Sequence, residues 1–296
     1  MLDFRVNTFL SVCEHMNYTK AAEALHITQP AVSQHIHYLE SLYHVKLFRY
    51  EGKKIHLTPA GEILLRTATA LKNDEQFMLE QFSQLSSHGL ALRFGTTMTI
   101  GESVISAPLA SYLTRHPEVS LSMIISNTDD LLKRLHAGNI HFALVEGNYD
   151  TAEYDSLIYR TEPFIPVCSA RHVFSKEPGC LRDLLNEHLL LRETGSGTRD
   201  ILEKHLDMKN IRITDFAHIT EIGNIHVILE LLKEDLGISF LYQAAALPGI
   251  EAGTLRPLNL RDFQLEHDFT FIWNKGSVFS DIYRKVYEEM RPVNSN

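Results

Sequence analysis

Cysteine is scarce in this sequence, and its placement argues against two kinds of site. Among 296 residues there are three cysteines, Cys13, Cys168 and Cys180, and no Cys-x-x-Cys pair. Such wide spacing is not typical of a disulfide framework or a zinc site. A redox role would require Cys168 and Cys180 to meet in space, and three packing residues are the simpler interpretation. We expect no metal ion and no cofactor.

Long apolar runs and the common catalytic motifs are also missing. No segment offers about 18 uninterrupted apolar residues, and the amino terminus lacks the pattern of a secretion signal. There is no Gly-x-Ser-x-Gly elbow, no Gly-x-x-x-x-Gly-Lys-Ser/Thr phosphate loop, no His-Glu-x-x-His and no Gly-x-Gly-x-x-Gly after the first α/β strand. We therefore expect a cytoplasmic protein with no membrane partner, and an enzyme is the less favoured class.

The chain has no excess of positive charge, since its formal net charge is -9. The charge is uneven. Residues 1–58 carry six Lys and Arg against five Asp and Glu, a net +1, which leaves -10 for the remainder. Affinity for nucleic acid therefore has to come from local placement of basic groups and from dimerisation rather than from bulk charge.

The beginning of the chain does contain the pattern of a helix-turn-helix. Thr19 is a candidate N-cap of a short helix, and residues 26–27 form a predicted tight turn. Thr28 is a candidate N-cap of a second helix, predicted over 29–42. Pro30 falls in its first turn, where a missing N–H breaks no helical bond.

The second helix has a core face and a polar face, and a hairpin follows it. The apolar residues at helical spacing are Val32, Ile36, Leu39 and Leu42. The opposite face carries hydrogen-bonding side chains that suit base edges in a major groove. Residues 45–50 and 55–58 flank a lysine-bearing turn, a β-wing that would contact phosphates. The predicted DNA-binding residues are Thr28, Gln29, Pro30, Ser33, Gln34, His37, Arg49, Lys53 and Lys54.

These segments resemble a known family. The stretches AAEALHITQPAVSQHIHYLE, KLF and LTPAG look like the N-terminal domain of a LysR-type transcriptional regulator, strongly to Gly61 and more loosely beyond. Two positions depart from the family pattern. His44 stands where the family usually has a glycine ending the recognition helix. Lys53 and Lys54 stand at a wing tip that more often carries arginine, which offers bidentate phosphate contacts.

A long helix is predicted after Pro59, since residues 62–86 contain no further Gly or Pro. Its apolar residues follow spacings of three and four, interrupted at Glu75. They are Leu64, Ala68, Leu71, Met78, Phe82 and Leu85. At about 1.5 Å per residue this helix would reach roughly 40 Å, too long to pack only against the preceding domain. We expect it to pair with a second copy, and packing against its own chain is the alternative.

Short apolar runs alternate with helical patterns from Leu90 onward, which indicates parallel strands with crossover helices. The predicted strands are 90–95, 119–126 and 142–145, and the predicted helices are 100–116 and 129–137. The LysR resemblance implies two α/β subdomains like those of a periplasmic binding protein. The chain would cross between them near 162–164 and 265–268.

The predicted fold class is α/β with an N-terminal all-α winged helix-turn-helix, a long linker helix and a two-subdomain, periplasmic-binding-protein-like effector domain. The winged domain is predicted over 1–58 and the linker or dimerisation helix over 59–89. The effector domain is predicted over 90–296. Its subdomain I comprises 90–163 and 267–296, and its subdomain II comprises 164–266.

The cleft between the subdomains is the predicted effector site, because open α/β sheets bind ligands at the carboxyl ends of their strands. Residues 96–99 and 192–199 place hydroxyls, glycines and helix starts there, which favours a small oxyanion or carboxylate. Alternatively Ser196, Thr198 and Asn224 only cap helices and Arg199 pairs with a nearby carboxylate. The predicted effector-binding residues are Thr97, Met98, Thr99, Asn127, Thr128, Glu146, Gly147, Ser196, Gly197, Thr198, Arg199 and Asn224.

The resemblance implies a sequence-specific regulator controlled by a small, anionic metabolite. Its expected partners are double-stranded promoter DNA, further copies of itself in a homodimer or homotetramer, and RNA polymerase. Two alternatives stay open at this point. One is a ligand-binding module whose helix-turn-helix serves protein contacts, and the other is a small-molecule enzyme.

Overall fold

The computed structural model describes residues 3–52, 54–84 and 90–291. The winged domain contains three helices and a hairpin. They are α1 (Phe4–His15), α2 (Tyr18–Ala24), α3 (Gln29–Tyr43), β1 (Phe48–Glu51) and β2 (Lys54–Leu57). These elements enclose one apolar core, which includes Phe9, Val12, Val32, Ile36, Leu39 and Leu47. The predicted helix-turn-helix and wing are confirmed.

The caps of α2 and α3 define the turn between them. Asn17, and not Thr19, is the N-cap of α2, because its Oδ1 accepts two backbone N–H bonds at 2.8 and 3.0 Å. Asn17 precedes the helix with an extended backbone, as an N-cap requires, whereas Thr19 lies inside the helix. Thr28 caps α3 as predicted, with a bond of 3.3 Å from its first turn. At the other end of α3, His44 adopts a left-handed φ of 54°.

The long helix α4 (Pro59–Gln84) uses its apolar residues on two faces. Ala68 lies in the core of the winged domain, and Phe77 is buried against the effector domain. The prediction of a single seam was wrong in including Leu64 and Ala68, because both pack against the winged domain of their own chain. Leu85 lies outside the described residues. The apolar residues that remain exposed form the outer stripe, defined as Ile63, Leu71, Leu79 and Phe82.

The inner face of α4 is attached to the effector domain of the same chain. The Phe77 ring meets the His141 ring edge-on, with centroids 4.6 Å apart. The buried Asp74 carboxylate accepts bonds from the Ser277 hydroxyl at 2.5 Å and from the Val278 N–H at 2.8 Å. Because both contacts are buried and specific, α4 is held in one orientation on the effector domain.

The effector domain holds the remaining elements in two groups, named subdomains I and II with the ranges given above. Subdomain I has β3 (Ala91–Thr96), α5 (Met98–Ser103), α6 (Ser106–Arg115), β4 (Ser120–Ile125), α7 (Thr128–His136), β5 (Phe142–Val145) and α11 (Ser280–Met290). Subdomain II has β7 (His188–Arg192), α8 (Gly197–Met208), β8 (His218–Ile222), α9 (Ile225–Lys233), β9 (Ile238–Tyr242), α10 (Gln243–Glu251) and β10 (Leu255–Pro257), with short 3₁₀ turns at Leu181–Leu184 and Ile213–Asp215. Two long strands, β6 (Tyr154–Ser169) and β11 (Leu265–Asn274), connect the groups.

Parallel pairing dominates each subdomain, as the alternating pattern predicted. β3 lies between β4 and β5, and β7 lies between β8 and β9, all in parallel. The carboxyl ends of these strands therefore meet at one edge in each subdomain. The two edges face each other across the cleft, where residues from both subdomains are in contact.

β6 and β11 form an antiparallel ribbon between the subdomains. Their register runs from Phe164 opposite Leu265 to Tyr154 opposite Asn274, with one irregularity between Phe269 and Thr270. The carboxyl-terminal part of β6 pairs with β9 and β10 in subdomain II. The segments predicted to cross between subdomains, 162–164 and 265–268, lie in this ribbon and pair with each other.

One predicted helix is divided in two. The pattern over 100–116 suggested one helix, but α5 ends at Ser103 and α6 begins at Ser106. Pro108 explains the break, because its ring would clash with the carbonyl of Val104 in a continuous helix and it has no N–H to donate. Proline is tolerated in the first turn of α6.

Among the residues that the structure describes, no helix combines the length and the apolar character required to cross a membrane.

Candidate functional site

The exposed side of α3 carries most of the residues predicted to contact DNA. The predicted residues Gln29, Ser33, Gln34 and His37 are all exposed on it, and Thr28 and Pro30 are exposed at its start. Leu42, predicted to be in the core, is 53% exposed. At about 100° per residue, Leu42 lies about 120° around the helix from Ile36, at the margin of the buried face. The polar surface of α3 is thus free to enter a groove.

The wing places basic groups beside this surface. Lys54 is exposed at the hairpin end, and Lys53 lies outside the described residues. The Arg49 guanidinium makes an exposed ion pair with Glu51 on the same strand. An exposed pair of this kind is worth about 0.2–1 kcal/mol, so phosphate can replace Glu51 at little cost.

In the cleft, three hydroxyls converge on one buried carboxylate. Glu146 follows β5 and is 1% exposed. Thr97 donates a short hydrogen bond to its Oε2, and Thr99 donates to Oε1 at 3.3 Å. Thr198, in the first turn of α8 on the other subdomain, donates to Oε1 at 3.2 Å. Burial raises the pKa of Glu146, and the hydroxyls and the positive charge of Arg192 offset part of this effect.

The two subdomains meet closely at the same point. A Cβ on Gly147 would lie 2.5 Å from the Gly197 Cα, and a Cβ on Gly197 would lie 2.1 Å from the Glu146 carbonyl oxygen. Thr128 adds a bond of 2.8 Å from its hydroxyl to that carbonyl. The Asp129 N–H also donates across the cleft, to a backbone oxygen of the 195 loop at 3.3 Å. The glycines are thus required by backbone contact.

Two further cleft residues, Arg192 and Tyr242, have unused hydrogen-bonding atoms. Neither was predicted as a binding residue, although Arg192 lies in the stretch 192–199 that was predicted to line the cleft. Arg192 is 3% exposed and its Nε and Nη2 bind the Glu193 carboxylate at 2.8 and 3.0 Å. Its buried Nη1 has no hydrogen-bond partner among the described residues, and the same holds for the fully buried Tyr242 hydroxyl. Burial raises the pKa of Tyr242 well above its usual value, so this hydroxyl stays a donor. Their position at the ends of β7 and β9 was the signal that could have identified them.

Arg199 has a different environment from the one predicted for a ligand contact. Its Nε binds Glu203 at 2.7 Å, one turn along α8, and its Nη1 binds Glu221 at 2.5 Å. This is the ion-pair alternative left open by the sequence. Gly197 and Thr198 are also part of α8, which begins at Gly197.

The other predicted cleft residues cap helices, precede them or contact the facing subdomain through single side chains. Asn127 caps α7 and its Nδ2 lies 3.4 Å from Glu193. Asn224 is exposed and caps α9. Ser196 is buried and precedes α8 without a side-chain cap bond. Met98 packs beside the apolar cluster of subdomain II. The convergent set is therefore Thr97, Thr99, Thr128, Glu146, Gly147, Gly197 and Thr198, together with Arg192 and Tyr242.

A cavity of about 850 Å³ lies away from this cluster, along β6 and the 257–266 segment. Its lining residues are mostly apolar, and its polar residues, which include Arg261 and Gln264, are exposed, so the buried donors of the cleft are the better candidate for an anion site. No cluster of three or more potential metal-ligating side chains occurs in the described parts of the chain. Burial raises the pKa of Cys13 to about 12 and that of Cys168 to about 11, so both stay thiols at neutral pH.

A winged helix-turn-helix, a long helix and a cleft between two α/β subdomains define a ligand-responsive DNA-binding protein. Residues 5–62 match the family described as bacterial regulatory helix-turn-helix protein, lysR family. Residues 87–294 match the LysR substrate binding domain. The chain belongs to the LysR family of transcriptional regulators.

Individual relatives agree with this assignment. The chain is 30% identical over 278 residues to the HTH-type transcriptional activator CmpR of Synechocystis sp., covering 92% of this chain and 89% of that protein. It is similar in structure to full-length LysG of Corynebacterium glutamicum with bound effector Arg, with a TM-score of 0.62, 16% identity and 98% coverage of both chains. The CcmR regulatory domain of Synechocystis PCC6803 in complex with 2-PG also matches, with a TM-score of 0.62 and 18% identity, over 71% of this chain and 99% of that one.

Proposed function

We propose that α3 and the wing read an operator sequence and that a small anion bound in the cleft controls this binding. The proposal of an anionic effector rests on two buried donors that have no hydrogen-bond partner among the described residues, Arg192 Nη1 and the Tyr242 hydroxyl. Buried polar groups without partners are costly, so they favour a ligand that accepts hydrogen bonds.

The charge of the effector has to be argued from side chains, because the fold does not determine it. Of the two similar structures, LysG holds arginine and CcmR holds 2-PG. Here the only buried acid among the convergent residues is Glu146, and three hydroxyls already donate to it. The groups left over are donors, and one of them is an arginine. A compact oxyanion or carboxylate suits them better than a cation.

Assembly through α4 is the third part of the proposal. The outer stripe exposes Ile63, Leu71, Leu79 and Phe82 by 48–59% each on a 26-residue helix. At about 100° per residue, Leu71, Leu79 and Phe82 lie within about 80° of one another around the helix axis, and Ile63 lies to one side of them. Exposed apolar residues grouped in this way suit contact with a second copy of the helix. Two such dimers would form a homotetramer on an extended operator. The regulator would act in the cytoplasm, where promoter DNA and RNA polymerase are present.

The DNA-binding part is tested with the promoter region upstream of the protein's own gene. Gln34→Ala should weaken specific binding by about 1–3 kcal/mol, the value of one bidentate base contact, while the fold is retained. Gln264→Ala, an exposed glutamine of the effector domain, is the matched control and should bind like the wild type. Fluorescence anisotropy at fixed salt measures both variants. Unchanged affinity of the Gln34 variant would mean that α3 does not read bases and would favour a role in protein contacts.

The ligand part is tested by thermal unfolding of the full chain with sodium sulfate, phosphate, sulfite and dicarboxylates, against sodium chloride at equal ionic strength. A ligand at 100 times its dissociation constant stabilises the folded state by about 2.7 kcal/mol. Arginine hydrochloride serves as the cationic comparison. Stabilisation by arginine alone would contradict an anionic effector.

A further inference from the structure

We propose that the Glu146 carboxylate is an internal ligand of the anion site, so that an effector anion must displace it from the three hydroxyls to bind. The inference rests on the proposed function for the identity of the site and adds a regulatory step to it. Its basis is the placement of one acidic group at the point where the donors of both subdomains converge.

The geometry of the cluster is that of a bound anion. Thr97 and Thr99 reach the carboxylate from subdomain I, and Thr198 reaches it from subdomain II. Thr198 belongs to the first turn of α8, a helix of 12 residues whose N-cap side chain makes no cap bond. The carboxylate therefore lies where a helix start and three hydroxyls would hold a free oxyanion. These hydroxyls are the donors expected to bind an effector, and here the Glu146 side chain of the protein itself accepts their hydrogen bonds.

The neighbouring residues indicate that this arrangement can be exchanged. Burial raises the pKa of Glu146 and the positive charge of Arg192 lowers it, but two of the Arg192 nitrogens bind Glu193 and its Nη1 remains unused. The Tyr242 hydroxyl, buried near Glu146, is unused as well. A tetrahedral oxyanion offers more acceptor atoms than one carboxylate and could bond to the hydroxyls and to these two donors together.

Displacement would also change the contact between the subdomains. Glu146 belongs to subdomain I, and its bond from Thr198 is a side-chain link to subdomain II. The close approach of Gly147 to Gly197 lies directly beside it. A free anion that takes over the Thr198 hydroxyl leaves Glu146 without this link and forces the carboxylate to move. The empty and the occupied cleft then differ in structure, which is the condition for a ligand to shift the conformational equilibrium.

The first test replaces the internal ligand by a free one. Glu146→Ala deletes a CH₂–COO⁻ group, and acetate is the molecule that fits the space left. In the full-length variant, sodium acetate should raise the Tm saturably by about 3 °C relative to sodium chloride, with no such effect on the wild type. Adding Thr198→Val should abolish the effect, and adding Thr114→Val, whose hydroxyl bonds within α6, should not. A folded Glu146→Ala protein that ignores acetate overturns the proposal.

The second test measures competition and does not depend on the alanine variant being stable. Glu146→Gln keeps the size of the side chain and removes its charge, so it competes less well for hydroxyl donors. Titration calorimetry should find sulfate and phosphate bound at least about tenfold more tightly by this variant than by the wild type, a change of about 1.4 kcal/mol. Equal behaviour of the two proteins, including no binding by either, overturns displacement.

The two results also separate this inference from the proposed function. In one outcome, acetate stabilises the Glu146→Ala variant but the wild type binds only cations. This would support Glu146 as the internal ligand and contradict an anionic effector. In the other outcome, anion binding by the wild type depends on Thr198 but is the same in the Glu146→Gln variant. This would support the anionic effector and contradict the displacement of Glu146.

Discussion

At the scale of single residues, two arginines near the cleft have opposite surroundings. Arg192 is buried, has one unused nitrogen and is close to Glu146. Arg199 is more exposed, and it bonds to two carboxylates and to the Arg192 carbonyl oxygen, all on its own subdomain. The same side-chain type is therefore expected to bind a ligand at one position and to stabilise the fold at the other.

Substitution of each arginine by glutamine tests this difference. Arg192→Gln should weaken anion binding at least about tenfold, because a charge-assisted bond to an anion is worth about 1.5–3 kcal/mol. Arg199→Gln should leave anion binding unchanged and lower the free energy of unfolding by about 0.2–1 kcal/mol, as expected for a partly exposed ion pair. Calorimetric titration and urea unfolding measure the two quantities. Equal loss of anion binding in both variants would place Arg199 in the site.

The sequence was informative about which residues come together and less so about their roles. Because strand ends share one edge, Thr97, Thr99, Glu146 and Thr198 could be assigned to one cleft in advance. That the hydroxyls donate to Glu146 itself depends on tertiary distances of a few ångströms, which no local pattern encodes. The same strand-end argument applied to β9 would have added Tyr242, the residue at its carboxyl end.

At the scale of elements, the junction of α4 with subdomain I contains a buried histidine, His141, whose protonation would lower the stability of the folded state. The Arg93 N–H donates to His141 Nδ1 at 3.1 Å, and His141 Nε2 contacts Glu80 at 3.0 Å. Since Nδ1 must accept this bond, protonation there breaks it. Burial, and then the charge of Arg93, lower the pKa of His141 to about 3.

This junction should weaken in mild acid. A histidine with a lowered pKa in the folded state contributes stability above its unfolded value of about 6.5, and the contribution is lost as pH falls toward 3. Between pH 8 and pH 5 the wild type should lose about 2 kcal/mol more than His141→Gln, which has no proton to gain. Urea unfolding at both pH values gives the difference. Parallel pH dependences of the two proteins would show that His141 is not the group responsible.

The ends of helices could be predicted from the sequence where the local cap and proline residues pointed to one position. Thr28 and Pro30 predicted the start of α3 because cap and proline agree. The start of α2 was wrong because Asn17 and Thr19 are both good caps and only the backbone decides. Pro108 was overlooked inside an amphipathic pattern, so one helix was predicted where two exist. The two faces of α4 could not be separated, because the sequence does not say which partner covers each apolar residue.

At the scale of the whole molecule, the proposed dimer contact through the outer stripe of α4 can be tested by substitution. Leu71→Asp combined with Leu79→Asp should dissociate dimers joined through this helix, because an unpaired charge in an apolar contact costs several kcal/mol. Operator affinity should fall with it, since two linked winged domains bind far more tightly than one. Arg66→Asp places the same charge at an exposed site off the stripe and is the control. Sedimentation velocity measures the mass, and an unchanged mass for the double variant would assign dimerisation to another surface.

The ribbon of β6 and β11 determines what kind of motion the effector domain can make. Backbone hydrogen bonds perpendicular to the two strands keep them at fixed spacing. Between the part of β11 that pairs with β5, 270–272, and the part of β6 that pairs with β9, 164–168, the ribbon is two strands wide and accepts additional twist, and the irregularity at Phe269–Thr270 adds to it. We therefore expect the subdomains to rotate relative to each other about the long axis of the ribbon instead of opening as a jaw. Because α4 is attached to subdomain I, such a rotation would turn subdomain II toward or away from neighbouring copies. The winged domain would keep its position relative to subdomain I. Effector binding would then change the angle at which neighbouring chains of the assembly meet.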